Sequence, residues 1–257
     1  MIYIVVAIVI AVFLYAWNAR NEKIYGELSP LKEEHAKDYP LFQAIIDQDL
    51  KKFKILLEKQ GPDKRNYLLS NAISVSSTSY LIVTKPIQYF NLFETAFRHQ
   101  ATDIVNYLMT QGASRQMFLN GLRSLNESEQ KNWLDRLRTF GPPTDLSSSP
   151  QNLYFVIEMS AGHSPIMQYL KDENLELNPK WYDESWKKDK SLMREFASQY
   201  NWKKINLIWP YLSSSQKKQA QSEIAELMKK YEDSLVKENN SIDPQKTDFE
   251  EFKKNLN

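Results

Sequence analysis

Apolar and polar positions divide the chain into patterns of different kinds. Met1 to Trp17, MIYIVVAIVIAVFLYAW, is apolar on every side, with no charge and no polar residue beyond two tyrosine hydroxyls. As a helix it would span about 25 Å, close to the short limit for crossing a hydrocarbon core. Tyr15 and Trp17 stand where an interfacial aromatic belt would lie, and Asn18, Arg20 and Lys23 follow at once. The competing reading is a cleavable signal peptide. That reading lacks a basic start, and a cut after Ala19 would put Trp17 where a small residue is required. The pattern predicts a single-pass transmembrane anchor over 1–18 and a polar linker over 19–38. Arg20, Lys23, Lys32 and Lys37 follow the span and none precedes it, which directs the soluble part to the cytoplasm; the periplasmic or exoplasmic face is the alternative.

Beyond the linker the apolar period changes to that of short amphipathic helices, and the segments repeat. Tyr39 to Asp63 reads YPLFQAIIDQDLKKFKILLEKQGPD, and Asn91 to Ser114 reads NLFETAFRHQATDIVNYLMTQGAS. In each, an apolar residue precedes an alanine by three positions, Leu41 before Ala44 and Phe93 before Ala96. An apolar pair follows further on, Leu56-Leu57 and Leu108-Met109, and then a glycine, Gly61 and Gly112. Asn152 to Asn178, NLYFVIEMSAGHSPIMQYLKDENLELN, supplies a Gly162-His163 turn, a second helix with Ile166, Met167, Tyr169 and Leu170, and a Leu177-Asn178 ending. Phe196 to Trp209 is a fainter copy, and another helix pair is expected over Gln116 to Phe140 with Trp133, Leu134 and Leu137 as its stripe. Each unit predicts two short helices that cannot bury their apolar stripes alone and must stack on neighbours.

These segments resemble the ankyrin repeat. Tyr39-Pro40-Leu41-Phe42-Gln43-Ala44 is similar to its T-P-L-H-x-A opening, and Ile104 to Ser114 to its second helix and G-A-D turn. Gly162-His163 and Leu177-Asn178 are similar to its G-H turn and its V-x-N ending, and Asn201-Trp202 takes the G-H place in the faint copy. No copy keeps the whole T-P-L-H, and Asn66 to Phe90 intervenes as a degenerate repeat or an elaborated loop. The resemblance implies an all-α fold: the transmembrane helix, a divergent ankyrin-like array over 39–212, and a C-terminal capping helix over 213–237. The generic alternative is another helical-hairpin solenoid. Ser213 with Gln216 forms a capping-box start for that last helix, and Ala220, Ile224, Leu227, Met228, Tyr231 and Leu235 form its stripe. The polar stretch 238–257 reads as a disordered tail, and the alternative is a short docking motif at Phe249 and Phe252.

Composition narrows the chemistry. The 33 basic and 32 acidic residues leave a net charge of +1, which gives no basic surface for nucleic acid. The absence of cysteine removes disulfides, thiolate nucleophiles and Cys-ligated metals. His35, His99 and His163 show no metal-binding spacing, no phosphate-binding glycine loop occurs, and Ser164 lacks a hydrolase elbow. Neither an enzyme activity, a cofactor nor a small-molecule substrate is expected.

What the resemblance implies is protein binding by the first helices and projecting turns. Gln43, Asp47, Glu94 and Arg98 are the partner-facing candidates. With residues 1–17 in the lipid bilayer, such a module would recruit or position an envelope-associated assembly for division, secretion or transport. The alternatives are an immunity-type inhibitor that masks a toxin, and a structural or regulatory subunit held through its transmembrane helix, where Ala7 and Ala11 give weak small-residue spacing.

Overall fold

The structure, a computed structural model, describes residues 39–70, 73–75, 88–183, 187–237 and 244–256. The chain divides into two compact units, the first ending at Ala113 and the second beginning at Ser114.

In the first unit, helices α1 (Tyr39–Ile46) and α2 (Leu50–Glu58) form a pair, and α3 (Pro62–Ser70) follows with proline at its start. Strands β1 (Ile73–Val75) and β2 (Gln88–Phe90) pair antiparallel, with Ser74 opposite Tyr89. They lead into a second helix pair, α4 (Leu92–Arg98) and α5 (Thr102–Thr110). The two pairs stack in layers, α1 on α4 and α2 on α5. Leu41, Ala44 and Ile45 face the same layer as Phe93, Ala96 and Phe97, and all six are buried. The alanines let the α1 and α4 backbones approach, while Phe53 meets Tyr107 edge-on at 6.3 Å between α2 and α5.

The second unit repeats this scheme. Helices α6 (Arg115–Leu122) and α7 (Glu127–Arg138) form the pair expected over Gln116 to Phe140, with Leu134 and Leu137 buried. A short helix, α8 (Thr144–Ser147), leads to the pair α9 (Pro150–Ser160) and α10 (Ser164–Asp172). Again first helix packs on first and second on second, α6 against α9 and α7 against α10. Strands β3 (Lys180–Asp183) and β4 (Lys188–Ser191) then pair antiparallel and feed α11 (Leu192–Ser198) and α12 (Trp202–Ile208), which a 3-10 turn, Trp209–Tyr211, extends. The unit closes with α13 (Ser214–Lys237) against α11 and α14 (Pro244–Leu256) against α12.

One turn recurs between the paired helices. Gln48, Gln100 and Tyr200 take left-handed conformations, with φ of 55°, 55° and 56°. In each case the next N–H bonds back five residues, Asp49 to Ala44 O, Ala101 to Ala96 O and Asn201 to Phe196 O, at 2.9, 2.8 and 2.9 Å. This is a helix stop of the Schellman kind, built without glycine. It places the left-handed residue of the faint copy at Tyr200, one position before the expected Asn201-Trp202. Gly112 (φ 76°) and Asn174 (φ 55°) make the same stop after the second helices α5 and α10.

Three expectations are corrected. The fold is not all-α, because two antiparallel strand pairs stand before α4 and α11. Aromatic and β-branched residues at Ile73, Val75, Tyr89, Phe90, Trp181 and Tyr182 favour pleated backbone over helix at these connections. The fold with an N-terminal transmembrane helix is not supported either: among the described residues no helix is long and apolar enough to cross a membrane. Residues 1–38, on which the anchor and linker were read, lie outside the described residues. Lastly, 238–257 is not all disordered tail, since 244–256 forms α14 with Phe249 and Phe252 fully buried. The capping box is where the sequence puts it: Gln216 N donates to Ser213 Oγ and Ser213 N donates to Gln216 Oε1.

Candidate functional site

In a stack of helix pairs the inner stripes are consumed by packing, so a binding surface is left to the outer faces of the helices and to the hairpins. In the first unit those faces carry the four residues singled out from sequence. The structure brings them together only within their own helices. Gln43 on α1 donates to Asp47, just past the end of that helix, at 2.8 Å, and Arg98 pairs with Glu94 on α4. Both are spacings of four along a helix, which stabilise by about 0.2–0.5 kcal/mol. Asp47 also faces Lys52 at 3.8 Å. Gln48, in the left-handed turn, reaches the corresponding turn of the next pair and donates to His99 O at 2.8 Å. The outer face of this unit is polar and largely satisfied by itself. The unit's exposed large apolar residues, Ile46, Ile55 and Tyr67, stand on three different helices, and such scattered exposures are ordinary.

The corresponding face of α9 is different. Its sequence, PQNLYFVIEMS, has more apolar residues than one stripe can hold. Leu153, Val156 and Ile157 fill the stripe facing the core, and Ser160 completes it. Phe155 and Met159, four apart on the other side, remain 50% and 46% exposed. Beside them Tyr154 packs at a tilt of 51° on Trp181 of β3 at 4.8 Å and approaches Phe155 edge-on at 5.3 Å. Burial and then the Glu158 carboxylate hold the Tyr154 hydroxyl well above the usual tyrosine range, so it remains a donor. Glu158 is itself paired with Lys204 of α12 at 3.0 Å. The polar groups around the stripe thus have partners, while about half of the Phe155 and Met159 surface stays open to solvent. Sequence reading singled out polar first-helix positions and left Phe155 and Met159 unremarked. The signal was available in helical geometry: Leu153 to Ile157 are five consecutive apolar residues, and consecutive residues point about 100° apart.

The hairpin that carries Trp181 is held by one carboxylate. Glu223 of α13 accepts from Lys180 Nζ at 2.8 Å, Ser191 Oγ at 2.6 Å, Asn178 Nδ2 at 3.0 Å and Gln219 Nε2 at 3.0 Å. Burial alone would raise this carboxyl, but the four donors together outweigh it and hold it at about 2. Fully buried Asn178 passes the bond on, its Oδ1 accepting from Met193 N at the start of α11. The expected Leu177-Asn178 ending is therefore a junction between α10, the hairpin and two helices.

His163 shows no catalytic geometry. It is the N-cap residue of α10, and its ring Nδ1 lies 3.3 Å from Gln130 Nε2. Ser164 Oγ donates to Glu127 at 3.4 Å instead of to the imidazole. Burial and then Arg123 depress the His163 pKa, against a smaller opposite pull from Glu127, and favour the neutral ring. Gly162 has no left-handed φ, so the turn does not require its missing side chain. His99 caps α4 at the surface, and among the described residues no cluster could hold a metal ion. His35 lies outside the described residues.

No family model, no curated protein and no solved structure matches this chain.

Proposed function

We propose that this chain is a protein-binding module of ankyrin-like helix pairs, and that it takes its partner on the outer face of α9 and the adjoining hairpin. The carrying observation is the Phe155–Met159 stripe, left exposed on a helix whose other side is completely packed. Three features support the reading: first-on-first and second-on-second stacking, the recurrent left-handed turn, and strand pairs just before α4 and α11. The partner is a protein segment that offers apolar side chains, since Phe and Met give a large and adaptable contact while Tyr154 fixes the rim. Gln43, Asp47, Glu94 and Arg98 then serve as a polar flank whose charges are already engaged. Recruitment or positioning of an assembly is the role such a module performs.

The test is site-specific photo-crosslinking in the producing cell. A photoreactive residue at 155 or 159 is expected to give one discrete adduct of defined mass, and the same residue at exposed Lys131 of α7 none. Equal adducts from all three positions, or none from 155 and 159, would remove the reading.

A further inference from the structure

Helix α14 is almost wholly polar, PQKTDFEEFKKNL, yet Phe249 and Phe252 are 0% exposed. They enter an aromatic groove formed by α12, the turn after it and α13. Phe249 lies 4.7 Å from Trp202 and 4.8 Å from Tyr231, and Phe252 lies 5.0 Å from Trp209 and 5.8 Å from Trp202. At the rim Lys253 pairs with Glu232 at 2.8 Å, and Asn206 donates to Asp248 O at 2.7 Å. A helix of 13 residues with so few apolar contacts is marginal in water, so its helicity depends on being docked. The groove is not completely satisfied by it. The indole N–H groups of Trp202 and Trp209, both buried, have no hydrogen-bond partner among the described residues. A buried donor without an acceptor penalises the occupant that leaves it so.

From this geometry we propose that the groove is a docking site for a partner protein's helix, and that α14 is its releasable occupant in cis. The helix that fits presents two aromatic side chains three positions apart, a lysine facing Glu232, and a hydrogen-bond acceptor for the indole groups. It displaces α14 because it supplies the acceptor that α14 does not. This second surface is independent of the α9 stripe. It uses the helix-in-groove mode, in which a few apolar anchors carry recognition and rim charge sets direction.

The probe is a fluorescein-labelled peptide of residues 244–256, titrated into the full chain and into the full chain carrying Phe249→Ala and Phe252→Ala. Emptying the groove is expected to tighten peptide binding at least tenfold over the parent chain, where α14 competes. Adding Glu232→Lys to the double variant is expected to weaken binding at least threefold, and a peptide lacking both phenylalanines is expected not to bind. Equal affinity for parent and double variant, or binding to neither, would overturn the proposal. Hydrogen exchange on the unaltered chain tests it without any substitution. Amides of α14 are expected to exchange at least tenfold faster than those of α12, and equal rates would show that α14 does not release separately.

Discussion

Helices α4 and α9 each open a helix pair and each bury one stripe, but they leave different things outside. On α4 the outer face is Glu94 and Arg98, bonded to each other. On α9 it is Phe155 and Met159, about half exposed, with Phe155 edge-on to Tyr154. A shared packing scheme therefore says little about binding. The inner stripe is dictated by stacking in both units, whereas the outer stripe is free of that demand.

The largest effect should appear where the two helices are alike. Phe93→Ala and Leu153→Ala, at corresponding buried positions, are each expected to cost about 2–5 kcal/mol in chemical denaturation. A marked inequality between them would break the equivalence of the two stripes. The next effect belongs to the second unit alone. Glu223→Gln is expected to cost about 1–2 kcal/mol by weakening the four-donor junction that holds the hairpin under Trp181. Its pH dependence has a definite sign. The folded carboxyl titrates at about 2 against an ordinary 4.5, so its contribution is complete above that ordinary value and is lost as pH falls through it toward 2. Denaturation between pH 6 and 3 should show this loss in the parent and not in the glutamine variant.

The turns sharpen the comparison further, with opposite signs. Gly112→Ala forces an alanine into φ 76° and is expected to destabilise by about 1 kcal/mol, whereas Gly162→Ala meets open space without left-handed backbone and should stabilise by about 0.4–1 kcal/mol. Thermal melts of the two variants should move in opposite directions. Smallest is Arg98→Ala, expected to cost about 0.3–0.5 kcal/mol, as for an exposed pair one helical turn apart. A loss several times larger in the same assay would mean that the polar face of α4 is more than self-satisfied.

Much of the helix pairing was legible in the sequence because its signals are local. Leu41 with Ala44, Phe93 with Ala96, the Ser213–Gln216 capping box, and the glycine ending at Gly112 each depend on neighbours within a few positions. The left-handed turns at Gln48, Gln100 and Tyr200 were hidden, since those residue types rarely take that conformation and tertiary stacking imposes it. The strand pairs were hidden because three or four residues are too few to show an alternation. Helix α14 was hidden for a different reason: its two phenylalanines look isolated among charges until Trp202 and Trp209, some forty residues earlier, are folded beside them. The proposed surface on α9 was not legible residue by residue. Gln43, Asp47, Glu94 and Arg98 are conspicuous as polar letters, while Phe155 and Met159 pass for core in any linear reading.

The central claim is that the Phe155–Met159 stripe is surface kept for a partner and not part of the hydrophobic core. Thermal unfolding of the Phe155→Ser, Met159→Ser double variant tests it most directly, beside Leu153→Ala on the same helix. The double variant is expected to melt within about 2 °C of the parent, and Leu153→Ala at least about 5 °C lower. A double variant that melts as low as Leu153→Ala would contradict the claim.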